Sequence, residues 1–443
     1  MLAARTLARP AVPRIRLAST IAHAAAAKDK YRVVVVGAGS GGLSVARQIY
    51  TRFKKQGQAL NDGDIAIIDP AEYHYYQPGW TLVGSGLANK AEFRHPLAPL
   101  VPKHFTFISD GVETFQPASS SITTHAGRSL SYDALVVAPG LKINWDAVTG
   151  LPEALADPTS GVSSIYSYAT CDKVWNDVEA LRSGKAIFTQ PAGVIKCPGA
   201  PQKIMWMSRD RFKHTARLED IKVDFYTGMP TMFSVKKYSD ALNAMRGERH
   251  VGGHFEHNLS AVDTNNRVAT FKTPDGSDVK TEFDFLHVAP PMGPLDFVKN
   301  SPLADKAGWV SVDPGTLQHT KFANVFSLGD CANVPTAKTA AAITAQAPVL
   351  TENLVSLVST GKIAKAVYNG YASCPLLTGY GELMLAEFKY PFVPDETFPW
   401  MNQSKPNRIF YHLKKDLFPA AYWNLMVNGQ WFGRRAIFRP SFT

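Results

Sequence analysis

Cysteine is scarce in this chain. Four occur in 443 residues, Cys171, Cys197, Cys331 and Cys374, with no C-x-x-C pair and no matching histidine spacing. That excludes a finger-type zinc site and a secreted disulfide framework, so no metal is expected and a special cysteine would be reactive rather than structural. Long apolar runs are missing too. No stretch approaches the roughly 18 apolar residues that span a bilayer, so the folded protein is expected to be soluble or monotopic. Acid is absent before Asp29: "MLAARTLARPAVPRIRLASTIAHAAAAK" carries Arg5, Arg9, Arg14 and Arg16, and Pro10 and Pro13 help break its apolar runs. This excludes a secretory signal and fits a mitochondrial targeting segment over residues 1–30, with a disordered basic tail as the alternative. Finally, the body of the chain lacks basic charge. Residues 1–30 carry +5 and residues 401–443 carry +6 of the formal +10, which leaves the 370 residues between them at −1. Charge confined to the ends argues against nucleic acid as a partner.

What remains is an ordinary globular composition, 45% hydrophobic and 19% charged, long enough for about two to three domains. "YRVVVVGAGSGGLSVARQIY" predicts a strand, a turn through Gly37, Gly39, Ser40, Gly41 and Gly42, and a helix, which is the G-x-G-x-x-G fingerprint in its required setting. Gly37 permits the tight turn, Gly39 admits a pyrophosphate, and Gly42 allows helix and strand to pack closely, with the helix N-terminus facing the phosphates. A second strand, "DIAIIDP", ends at Asp69, placed to meet a ribose hydroxyl, although the spacing exceeds the usual ~20 residues. "LSYDALVVAPG" predicts a hairpin strand ending in a turn, and "FANVFSLGDCANVP" a strand ending at Gly329 and Asp330. In two-dinucleotide-binding flavoproteins the first of these returns the chain beneath the nucleotide domain, and the aspartate of the second meets the ribityl chain. The three motifs in this order predict FAD.

A pyridine-nucleotide enzyme of this class would repeat the fingerprint. The second domain begins as expected, "GKAIFTQPAGVIKCPGAPQKIMWMSRDRFK" giving strand, loop and helix and "IKVDFYTG" the next strand, yet the loop holds no G-x-G-x-x-G. Pro191, Pro198 and Pro201 remove backbone donors a pyrophosphate would need. NAD(P)H is therefore not expected as the main reductant. Cys197 stands at this strand–helix junction, where open α/β sheets place ligands. Lys196 and the following helix N-terminus favour its thiolate, although a lone cysteine is more often a packing residue.

The chain resembles a known family along nearly its whole length after the leader. "HYYQPGWTLVGSG", "KCPGAPQKIMW", "VKKYSDAL", "AGWVSVDPGTLQH", "GDCANVPTAKTAAA" and "YASCPLLTGYGELMLAEF" are similar to mitochondrial-type sulfide:quinone oxidoreductases. The resemblance implies an α/β fold of two Rossmann-like dinucleotide-binding domains plus a C-terminal membrane-associating segment. The FAD-binding domain would comprise residues 31–150 and 291–360, the second Rossmann-like domain residues 151–290, and the C-terminal redox-cysteine and quinone segment residues 361–443. The implied reaction oxidises hydrogen sulfide, passes two electrons through FAD to ubiquinone, and hands the sulfane sulfur to sulfite or glutathione. The resemblance also implies that Cys197 and Cys374 are the redox pair: sulfide would attack the bridged pair, one cysteine would become a persulfide, and the other a thiolate that adds to the flavin C4a position. Cys171 and Cys331 are read as packing residues. Matching motifs place FAD against Gly37, Gly39, Ser40, Gly41, Gly42, Asp69, Gln77, Val112, Asp330, Lys338, Ala340, Ala341 and Ala342. Lys338 would support the anionic reduced flavin, or it is simply a solvent-facing lysine at a helix start.

Ubiquinone resides in the bilayer. The segment from Phe398 onward interleaves Trp400, Phe410, Tyr411, Phe418, Tyr422, Trp423, Trp431, Phe432 and Phe438 with the excess positive charge. Such a segment is expected to sit on the mitochondrial inner membrane surface, the alternative being core or dimer packing. Two other functions compete: a type II NADH:quinone oxidoreductase, weakened by the missing second glycine turn, and a redox-sensing FAD protein without turnover.

Overall fold

The computed structural model describes residues 29–58 and 60–442. The targeting segment read into residues 1–30 lies, up to residue 28, outside the described residues.

Six elements build most of the first sheet: β1 (Lys30–Val36), β2 (Ile65–Ile68), β3 (Thr106–Ile108), β4 (Val112–Gln116), β5 (Ser121–Thr124) and β6 (Ser129–Val137). Their order is β3-β2-β1-β6-β5-β4. Helix α1 (Ser40–Lys55) connects β1 to β2. β1, β2, β3 and β6 run parallel, while β5 pairs antiparallel with both β6 and β4. Val33, Val34, Val35 and Val36 are all buried. A central parallel strand is covered on both faces, which is why the sequence there reads as an unbroken valine run rather than an alternation.

The second sheet is parallel throughout. It holds β7 (Val162–Ser163), β8 (Gly184–Gln190), β9 (Ile221–Thr227), β10 (Gly252–His254) and β11 (Phe285–His287) in the order β7-β11-β8-β9-β10. Helices α2 (Cys171–Ala180), α3 (Ala200–His214) and α4 (Lys236–Glu248) pack around it. The chain then returns to the first sheet as β12 (Val325–Ser327), parallel to Leu135–Val137 of β6, and enters α5 (Ala340–Thr360). A hairpin of β13 (Ala372–Gly379) and β14 (Glu382–Lys389) follows. β13 packs on α3 and buries Cys374 in the core of the second sheet, beside Ala200, Ile204 and Phe233.

Two loops set the site. The loop between β8 and α3 is tied to the loop before α5 by the Cys197 N–H donating to the Lys338 carbonyl at 2.8 Å. This brings the carboxyl edge of the second sheet against that of the first. The C-terminal stretch folds as short helical turns, Arg408–His412, Leu413–Leu417, Phe418–Ala421 and Tyr422–Met426, two of them π-helical. Phe410, Tyr411 and Tyr422 are only 1%, 6% and 3% exposed and belong to the core of the first sheet. This corrects the reading of all nine aromatics as an interfacial belt: three of them hold the segment to the protein. Among the described residues, no helix is long and apolar enough to cross a membrane.

Candidate active site

The first glycine turn has the shape its sequence demands. Gly37 adopts φ +94°, and a Cβ there would lie 2.5 Å from the Ala138 carbonyl oxygen; one on Gly42 would lie 1.8 Å from the Gly37 oxygen. A Cβ on Gly39 would meet nothing within 4 Å, because it faces open space. Helix α1 starts there with no side-chain cap and no acidic residue in its first turn, so its free N–H groups and dipole are left to an anion. These features fit a dinucleotide pyrophosphate.

That open space is a cavity of about 460 Å³, within the usual range for ligand sites. Of the residues expected at the cofactor, Gly39, Ser40, Gly41, Gln77, Asp330, Lys338, Ala340 and Ala341 all line it. Gly37 and Gly42 stand behind as the frame of the turn. The Ala342 N–H is taken by the Thr339 hydroxyl at 3.1 Å, which caps α5. Asp69, at the carboxyl edge of the first sheet, and Val112, at the start of β4, lie off the cavity walls. The Asp69 carboxylate accepts from the Ala38 N–H at 2.6 Å and the Ala71 N–H at 2.8 Å, so it also stabilises the turn. Lys338 is buried rather than solvent-facing. Its ammonium donates to the Ala332 carbonyl at 2.9 Å and stands 4.3 Å from the Trp309 ring. Burial lowers its pKa, whereas burial raises that of Asp330 against the pull of Lys338 and Lys196.

Cys197 lines the same cavity, and Cys374 reaches it from behind. Their sulfurs are 3.8 Å apart and both are free thiols; a disulfide would need about 2.05 Å. Cys197 has φ +49°, a left-handed conformation that costs a non-glycine residue energy and is concentrated at functional sites. Gly199 makes the approach possible, since a Cβ there would lie 2.5 Å from the Cys374 sulfur. The two thiols are electrostatically unlike. Hydrogen bonding from Cys374, together with Lys203, holds Cys197 well below the ordinary thiol range, while Cys374 is held well above it.

Three lysines line the cavity beside Cys197. Lys203 is 3% exposed and donates to the Cys197 sulfur at 3.3 Å. It sits in the first turn of α3, where the helix dipole disfavours a cation. Burial opposes its charge, but the two cysteines outweigh burial and raise its pKa. Lys414, from the C-terminal segment, is 2% exposed and donates to the Pro78 carbonyl at 2.7 Å. Burial, then repulsion from Lys203, lower it to about 7. Lys196 donates to Gln77 Oε1 at 2.8 Å, and burial lowers it to about 8. Such a constellation attracts small anions and keeps a thiolate ionised.

Sequence reasoning did not find Lys203, Lys414, Tyr422 or a role for His74. Tyr422 OH lies 2.7 Å from Ser40 Oγ and 2.6 Å from His74 Nε2, while His74 Nδ1 lies 3.0 Å from the Ala38 carbonyl oxygen. Only Lys203 had a local signal, as a lysine facing Cys197 across one helical turn of "KCPGAPQK". Cys171 and Cys331 are buried, and burial raises their thiols to about 12 and about 11, as suits packing residues.

Residues 31–185 match the pyridine nucleotide-disulphide oxidoreductase family. A mitochondrial sulfide:quinone oxidoreductase of Schizosaccharomyces pombe is 49% identical over 433 residues, covering 94% of this chain and 94% of the relative. One of Dictyostelium discoideum is 46% identical over 415 residues, covering 93% of this chain and 89% of the relative. The solved sulfide:quinone oxidoreductase of the bacterium Aquifex aeolicus shares the fold, with a TM-score of 0.73 at 18% identity over 93% of each chain. The chain belongs to the mitochondrial sulfide:quinone oxidoreductase family of two-dinucleotide-binding flavoproteins.

Proposed function

We propose that this enzyme oxidises hydrogen sulfide with FAD, delivers two electrons to ubiquinone, and passes sulfane sulfur through a cysteine persulfide to sulfite or glutathione, at the mitochondrial inner membrane surface. The observation that carries the reading is the 3.8 Å approach of the buried Cys374 to Cys197, which lines the same cavity as the first glycine turn.

The cofactor would be held by Gly37, Gly39, Ser40, Gly41 and Gly42, with Asp69, Gln77, Val112, Asp330, Lys338 and Ala340 to Ala342. When bound, FAD supplies a two-electron acceptor and donor. The hydrosulfide ion, drawn in by Lys196, Lys203 and Lys414, attacks a Cys197–Cys374 bridge. A new S–S bond forms at one cysteine and the bridge breaks, so sulfide loses the two electrons that the departing thiolate carries. Cys197 lines the cavity and has Lys203 against its sulfur, which favours it as the thiolate and Cys374 as the persulfide. The acceptor takes the outer sulfur from Cys374 and leaves both residues as thiolates; re-forming the bridge releases two electrons, which FAD, when bound, would accept and ubiquinone would carry away.

Quinone would enter from the membrane side. Leu413, Leu417, Phe418, Ala421, Met426 and Trp431 line the far part of the cavity. Leu417 is also half exposed, and the same C-terminal segment exposes Trp400, Ile409, Ile437 and Phe438, which would give the quinone an apolar approach from the membrane.

The test is turnover of the purified protein with sulfide and decylubiquinone, with and without sulfite or glutathione. Quinone reduction that depends on sulfide and yields thiosulfate or glutathione persulfide supports the reading. Quinone reduction driven by NADH but not by sulfide contradicts it.

A further inference from the structure

Among the residues lining the cavity, two keep a buried side-chain polar atom with no partner among the described residues, Trp80 Nε1 and Tyr166 Oη. Buried polar atoms are nearly always satisfied, so each exception calls for a reason. The Trp80 ring is held under the Lys196 ammonium at 5.3 Å, which fixes the ring without pairing its N–H. Tyr166 is only 3% exposed. It follows β7 at the carboxyl edge of the second sheet and lines the cavity together with Cys197, Ala200 and Lys203. It also packs in the same core as Cys374.

We propose that Tyr166 is a substrate-binding residue of the dithiol centre, its phenolic O–H donating a hydrogen bond to the hydrosulfide ion that approaches Cys197 and Cys374. This rests on the sulfide-oxidising reading of the site. The three lysines supply charge without direction, whereas a phenol is a rigid single donor that fixes where the sulfur sits. Burial, followed by the negative charge of the two cysteines, raises the Tyr166 pKa well above the ordinary value. The group therefore stays protonated across the working pH range and acts as a donor, not as a base.

Tyr166→Phe deletes only the hydroxyl. Under anaerobic mixing, the second-order rate constant for flavin reduction by sulfide should fall about 10- to 100-fold, the worth of a hydrogen bond to a charged group. Reoxidation of the photoreduced variant by decylubiquinone should be unchanged, an outcome that a general loss of structure would not produce. Should Tyr166→Phe fail to fold, 3,5-difluorotyrosine placed at position 166 keeps the shape and strengthens the donor, and the sulfide dependence should then shift. If sulfide reduces the wild-type flavin, but both variants match wild type, the role of Tyr166 is overturned and the function stands. If sulfide leaves the wild-type flavin oxidised, the reading of the site falls, and this inference with it.

Discussion

The hydroxyl of Tyr422 stands 2.7 Å from Ser40 Oγ, across 382 residues of sequence. The same hydroxyl is 2.6 Å from His74 Nε2, and burial holds His74 at about 4, so its ring is neutral and accepts a hydrogen bond from Tyr422. The C-terminal segment is thereby fastened to the first glycine turn.

Tyr422→Phe removes that fastening and leaves Ser40 and His74 unsatisfied in a buried place, at a cost of roughly 1–3 kcal/mol. FAD should dissociate roughly 5- to 100-fold more readily, read from the recovery of flavin fluorescence on dilution. The apo-protein should remain folded by circular dichroism.

Lys203→Met should slow sulfide-driven flavin reduction by about 10- to 100-fold. The sign of its pH dependence follows from the thiol. Cys197 is depressed, so its thiolate persists as pH falls until the lowered pKa is reached. In reduced wild type, iodoacetamide labelling of Cys197 should continue below neutrality. In Lys203→Met the onset of labelling should move to higher pH. An unmoved onset would count against Lys203 as the partner of the thiolate.

Two glycines should separate cofactor from chemistry. Gly42→Ala drives a Cβ into the Gly37 carbonyl, and Gly199→Ala drives one into the Cys374 sulfur. The first should be purified without flavin. The second should carry flavin yet lose most sulfide-dependent activity, as overpacking a close approach displaces the side chain it meets.

Replacing exposed Trp400, Ile409 and Phe438, which are 76%, 63% and 72% accessible, by serine should abolish flotation with anionic liposomes. Sulfide should still bleach the flavin, because none of the three lines the cavity. Loss of both would instead point to a role in folding.

Much of the site was legible because its signals are local. The turn from Gly37 to Gly42 is a backbone motif, and the loop at Cys197 stands out by having no such motif. The partnership with Cys374 came from the family resemblance, since no local pattern links residues 177 positions apart. The parts that Lys414 and Tyr422 play in the site were illegible for a similar reason: each acts only once the C-terminal segment folds across the first sheet. That segment alternates short α and π turns, so it has no steady 3.6-residue period by which Phe410, Tyr411 and Tyr422 could be sorted from the exposed aromatics. Asp69 was read from the end of a strand and Val112 from the family resemblance, and neither lines the cavity wall.

The most direct test is anaerobic flavin absorbance after mixing with sulfide in wild type, Cys197→Ser, Cys374→Ser and Cys171→Ser. The account predicts rapid bleaching in wild type and Cys171→Ser, and none in Cys197→Ser or Cys374→Ser with FAD still bound. Full bleaching in either the Cys197 or the Cys374 variant would contradict it.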